Sequence, residues 1–113
     1  MTTYSQRKGS QAERELAELL TFLTGHHCRR ALGAGRHDDI GDLVGLPDTV
    51  CQSASWADLD RCVTTKLPQV AVQKKNAAAR FAALFCRRRG GQWIVVMTIE
   101  EWTELWLAAT SRH

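Results

Sequence analysis

Apolar positions recur at helical spacing from Ala12 through Leu16, Leu19, Leu20 and Leu23, and form one stripe. Ser10 and Glu13 precede it with the S-x-x-E spacing of a capping box, so the helix is expected to start there, after a flexible arm over residues 1–8. Gly25 is a natural stop. Residues 26–32 then read as a short strand, and Gly33-Ala34-Gly35-Arg36-His37 as a glycine-rich basic loop. A second strand is expected around Ile40 to Val44. Pro47-Asp48 marks a turn, and a third short strand runs from Thr49 to near Gln52.

Trp56 to about Leu67 reads as a helix, which Pro68 is expected to break or restart before a further helical stretch over 69–80. Residues 81–86 fit strand or helix by pattern alone. The basic, glycine-bearing turn Arg87-Arg88-Arg89-Gly90-Gly91 that follows argues for a hairpin, hence a strand. Trp93-Ile94-Val95-Val96-Met97 is a nearly continuous β-prone run, as for a buried central strand. Thr98 and Glu101 repeat the capping-box spacing. Ile99, Trp102, Leu105, Trp106 and Ala109 then mark a last amphipathic helix. The order α-β-β-β-α-β-β-α predicts an α/β fold with a mixed central sheet flanked by helices, as a single small domain over residues 9–113.

Composition changes this picture little. A chain of 113 residues, 44% apolar and 24% charged, is that of an ordinary globular domain and not a disordered one. At this size a homodimer would add buried surface. No apolar run approaches the roughly 20 residues of a membrane span, and no apolar signal core opens the chain. No membrane partner is expected, and cytoplasmic residence is. Cys28, Cys51, Cys62 and Cys86 are scattered without a C-x-x-C pair, so buried, reduced thiols are expected rather than zinc ligands or disulfides. A net charge of +3 is compatible with nucleic acid but weak evidence by itself.

The candidate chemistry begins with two acids. Glu13 lies at the edge of the first helix's apolar stripe, where it either caps the helix or points into a site beside the sheet. Asp42 interrupts the apolar stretch Ile40-Gly41-Asp42-Leu43-Val44. A strand carboxylate there either faces water or is held by donors or a metal, because burying its charge alone is costly. Arg14, Arg29, Arg30, Arg36, Lys74, Lys75 and Arg87 to Arg89 supply positive clusters, which serve phosphate binding or simply solubility. Trp102 and Trp106 share a helix face and suggest core or inter-subunit contact, and Trp93 suggests core. Trp56 opens a helix beside the presumed site.

The segment Arg7-Lys8-Gly9-Ser10-Gln11-Ala12-Glu13-Arg14-Glu15-Leu16, the run Arg30-Ala31-Leu32-Gly33 and the strand Asp42-Leu43-Val44 together resemble archaeal Holliday-junction resolvases and their phage-encoded relatives, which have the PD-(D/E)XK nuclease fold. The likeness spans about residues 7–54. Beyond that it rests on element order, including the late strand at Trp93. It implies a divalent-metal site, Mg²⁺ or Mn²⁺, with Glu13 as the helix glutamate and Asp42 as the aspartate. Arg14 and Arg30 are the implied DNA contacts, and Arg36 of the basic loop is a further candidate for phosphate contact. The E-x-K segment falls on Gln52-Ser53-Ala54, where glutamine replaces the glutamate and alanine the lysine. Gln52 keeps one carbonyl oxygen for a metal but not the charge, and loss of the lysine removes a positive group near the nucleophile. Lys74 is the candidate replacement, with Lys75 beside it for DNA. The leading expectation is a metal-dependent, homodimeric endonuclease acting on branched or junction DNA, with two sites for two symmetric cuts. The alternative is an inactive protein of the same fold, used for DNA binding or phage particle assembly.

Overall fold

The computed structural model of the chain describes residues 4–31, 40–55 and 58–111. Its elements are α1 (Tyr4–Thr24), β1 (Arg29–Arg30), β2 (Leu43–Val44), β3 (Thr49–Ala54), α2 (Leu59–Ala77), β4 (Phe81–Arg87), β5 (Trp93–Val96) and α3 (Ile99–Thr110), in the order that the hydrophobic pattern predicts. The sheet order in space is β1-β2-β3-β4-β5. Strands β3 and β4 pair in parallel over their length, and every other pair is antiparallel. A parallel pair needs a long crossover, and α2 provides it.

Alternation along the strands splits the core in two. Val50, Ala54, Ala82, Leu84 and Cys86 face α2 and pack with its Cys62 and Val70. Cys51 and Leu43 face the other way and pack with Leu16, Ala17 and Leu20 of α1. Two glycines let β2 lie tightly between its neighbours. A Cβ on Gly45 would stand 2.2 Å from the His27 carbonyl oxygen, and one on Gly41 2.8 Å from that of Cys51. Both have positive φ, a region that side chains disfavour.

Several boundaries depart from expectation. Helix α1 begins at Tyr4, so part of the expected arm is helical and Ser10 lies inside the helix instead of capping it. Pro68 does not break α2. It sits on the exposed side, and the helix is anchored on both sides of it by buried Cys62, Val70 and Gln73. That anchoring outweighs the lost hydrogen bond at Thr64, roughly 3 kcal/mol for an interior proline. Asp58 caps the start of α2, its side chain accepting from the Arg61 N–H. Trp56 lies outside the described residues. Strand β5 is an edge strand, not a central one, and Val95 is half exposed.

Helix α3 departs most. Thr98 caps it as expected, accepting from the Glu101 N–H at 3.1 Å. Its apolar stripe, however, is turned to solvent, and none of its residues is buried. What faces the protein is Glu101, Glu104 and Ala108. Glu101 accepts from Lys74 Nζ at 2.8 Å and from the Ala82 N–H at 3.2 Å, and Glu104 pairs with Arg80 at 2.9 Å. The anchored side of the helix is its acidic side.

Candidate functional site

Tracing the sheet from β1 inward gathers the residues of interest. Arg30 pairs with Leu43, and the Ala31 N–H donates to the Asp42 carbonyl at 2.8 Å. Leu43 pairs with Cys51, which places Asp42 beside the carboxyl half of β3. Four groups therefore share one end of the sheet: Glu13, Arg30, Asp42 and Ser53. Arg87 joins them, since β4 ends where β3 ends.

Each of the predicted ligands is engaged by protein groups. Asp42 Oδ2 accepts two hydrogen bonds from Ser53, one from its N–H and one from its hydroxyl, both at 3.0 Å. The carboxylate thus ties the bend before β2 to the end of β3. Gln52, 4% exposed, accepts from Gln73 Nε2 at 2.8 Å. This contact places its amide on the α2 side of the sheet, whereas Glu13 is carried by α1 on the other side. Glu13 Oε2 accepts from Arg30 Nε at 2.9 Å. Because Ser10 is within the helix, Glu13 is no cap; its partner is a strand arginine. Ala54 is buried in the cluster against α2.

Lys74 is not brought to this place. Its Nζ is bonded to Glu101, whose second oxygen holds the N–H of Ala82 near the start of β4. Ser53 pairs with Phe85, three residues further along, about 10 Å at strand rise. Lys75 is exposed at the same distant end of α2. A lysine near the end of α2 cannot stand in for one on β3, because the helix runs back toward the start of the next strand. Arg36 lies outside the described residues.

Mg²⁺ and Mn²⁺ call for carboxylate and carbonyl oxygens that converge on one point. Here Asp42 serves Ser53, Gln52 serves Gln73, and Glu13 serves Arg30. Gln52 and Glu13 also belong to opposite sides of the sheet. A divalent-ion site does not fit these residues in this arrangement.

What the same end of the sheet does present is positive charge. Arg14, Arg30, Arg88 and Arg89 are exposed there, with Arg87 half exposed beside them, whereas Arg29 is level with Val50 and Ala82 at the other end of the strands. Arg87 Nε donates to Glu15 of α1 at 2.8 Å, which draws the β4–β5 turn toward the helix that carries Arg14. That turn is closed by Arg88 N–H to Gln92 O at 2.8 Å and Gly91 N–H to Arg88 O at 3.0 Å, so Arg88 and Arg89 are held on a tight support.

Sequence reasoning missed Ser53, Gln73, Glu15 and Glu101. Gln73 carried a signal, since it falls three residues after buried Val70 and so in phase with the apolar side of α2. Ser53 carried none beyond its place inside the altered E-x-K segment. No family model matches the chain, and no curated protein or solved structure matches it significantly.

Proposed function

We propose that this chain is a DNA-binding protein of the resolvase-like nuclease fold whose hydrolytic site is no longer built, with branched or junction DNA as its expected target. The observation that carries the reading is the group of exposed arginines at one end of the sheet: Arg14 on α1, Arg30 on β1, and Arg88 and Arg89 on the β4–β5 turn. Arginines fixed on separate rigid elements can follow a phosphate backbone, and such contacts position a protein on DNA without reading its sequence. The chemistry of cleavage lacks comparable support, because the oxygens expected to hold Mg²⁺ or Mn²⁺ are committed to Ser53, Gln73 and Arg30. Homodimerisation belongs to the same reading, since a junction offers two-fold related arms to a two-fold protein.

The test pairs a binding assay with a cleavage assay on a labelled four-way junction and a matched linear duplex. Anisotropy titrations over a salt series should show tighter binding to the junction. The double variant Arg88→Ala, Arg89→Ala should flatten the salt dependence by about 0.9 in log–log slope for each phosphate that the protein no longer neutralises. Incubation with Mg²⁺ or Mn²⁺ should leave the strands intact on a denaturing gel. Metal-dependent cuts that vanish in Asp42→Ala would refute the loss of chemistry. Absence of binding to either DNA at low salt would refute the DNA reading and favour a role in particle assembly.

A further inference from the structure

Amphipathic helices normally bury their apolar side, and α3 does the reverse. Ile99 is 74% exposed, Leu107 53%, Trp102 51%, Trp106 50% and Leu105 43%. Neighbouring Val95, on the edge strand β5, is 49% exposed. Trp102 and Trp106 stack on each other, with ring centroids 6.3 Å apart. Beside them lies an open groove of about 270 Å³, lined by Phe81, Phe85, Val95, Met97 and Leu105 among others. It exists because α1 packs mainly over β1 and β3, reaches Phe85 and Trp93, and leaves the rest of the β4–β5 part of that sheet face uncovered. Leu105 and Val95 belong to both features, so the groove and the stripe form one continuous surface.

We infer that this surface is where a second copy of the chain docks, with the tryptophan ridge of each α3 seated in or against the groove of the other. Area is the first argument. Five of these side chains, all but Leu107 on the other flank of α3, leave on the order of 500 Å² of apolar surface uncovered together, toward the upper end of what a monomer shows. A standard interface takes about 800 Å² from each partner, which the patch and its rim can supply. Shape is the second. The surface carries a ridge and a hollow together, as a two-fold interface requires of each subunit. Charge is the third. Among the described residues, Glu101 is the one ionisable side chain lining the groove, and it is already bonded to Lys74 and the Ala82 N–H. Two copies therefore meet without like-charge repulsion, whereas DNA finds no cation among the described residues of the groove wall. This inference does not depend on the DNA reading: it stands on α3, β5 and the groove.

The experiment is sedimentation velocity on the full chain over a concentration series, without DNA. The wild type should sediment as a species of twice 12.7 kDa. Trp106→Glu and the milder Trp102→Ala should each weaken the dimer by about thirty-fold or more, the usual effect of a hot-spot aromatic. Both residues are half exposed, so circular dichroism melts should stay near wild type. If Trp106→Glu melts early, Trp102→Ala decides the matter. A wild-type monomer at 100 µM refutes the inference, as does a dimer that neither variant weakens. A protein that is monomeric throughout but loses junction binding in Trp102→Ala gives this face to nucleic acid, and that too refutes it.

Discussion

If Asp42 is a structural clamp, its removal should destabilise the protein, and the size of the effect follows from its contacts. The carboxylate accepts from both the N–H and the hydroxyl of Ser53, in a partly buried setting. Hydrogen bonds to an ionised group contribute about 1.5–3 kcal/mol each, and removing the acceptor leaves the Ser53 N–H without its partner. Asp42→Ala should therefore cost about 3 kcal/mol. In a domain of this size that corresponds to a fall of roughly 12 °C in melting temperature. Asp42→Asn keeps an acceptor oxygen but loses the charge, and should cost about half as much. Ser53→Ala removes the hydroxyl and leaves the N–H bonded, for about 1 kcal/mol. A double-mutant cycle should give a coupling near that last value, because the hydroxyl has nothing to lose once the carboxylate is gone. The assay is thermal and urea unfolding in metal-free buffer. A carboxylate kept for catalysis has the opposite signature, since deleting it commonly leaves stability unchanged or raises it. An Asp42→Ala protein that melts with or above the wild type would refute the clamp and restore Asp42 to the candidate metal site.

Gly45→Ala should cost about 3 kcal/mol or more in urea unfolding, because its Cβ meets the His27 carbonyl at 2.2 Å on a backbone that already has φ of 125°. Burial, and secondarily Cys28, pushes the Cys51 thiol from 9.0 up to about 12; burial, followed by the hydrogen bond and charge of Cys62, does the same to Cys86. The folded form holds these protons more tightly than the unfolded chain, so their contribution is complete below pH 9 and is lost as pH rises from 9 to 12. Stability should fall over that window by on the order of 4 kcal/mol for Cys51 alone, and thiol reagents at pH 8 should label the native protein slowly and the unfolded protein fully. Introducing an E-x-K pair with Gln52→Glu and Ala54→Lys should lower the melting temperature without producing metal-dependent cleavage, because position 52 is 4% and position 54 is 6% exposed in the packing against α2. A double variant that cuts junctions in Mg²⁺ would overturn that reasoning. Mg²⁺ or Mn²⁺ should leave the wild-type melting temperature unchanged, and a rise that Asp42→Ala abolishes would reveal a bound ion.

The elements were legible where one physical signal dominated. Periodicity placed α1 and α3, and the Thr98 cap fell where its spacing put it. The failures have particular causes. Ser10 with Glu13 has capping-box spacing, but a capping signature cannot end a helix whose preceding residues also accept helical geometry. Pro68 reads as a breaker in isolation, and only the buried residues on either side of it hold α2 together. Trp93 to Met97 reads as a central strand because β-propensity reports side-chain type, not the number of neighbours that a strand will find. The orientation of α3 was illegible for a related reason. Its apolar stripe predicts a buried face without saying in which molecule, and the ion pairs of Glu101 and Glu104 that turn the stripe outward join residues distant in sequence.

The candidate site shows the same split between residue identity and residue partner. Asp42, Glu13 and Arg30 stand out in the sequence as unusual, and the structure does gather them at one end of the sheet. Their roles depend on what they touch. A carboxylate beside a glutamate on β3 and a lysine two residues later needs a cation between the acids to offset their repulsion. With Gln52 and Ala54 in those places there is no such repulsion to relieve, and the two sides of β3 can pack independently. On the α2 side, Gln52 closes onto Gln73 and Ala54 fills the core. At the strand's end, the Ser53 N–H and hydroxyl take up the remaining carboxylate. Each of these polar groups thus has a protein partner of matching donor or acceptor character, and the Asp42 carboxylate braces the strand end beside the arginines.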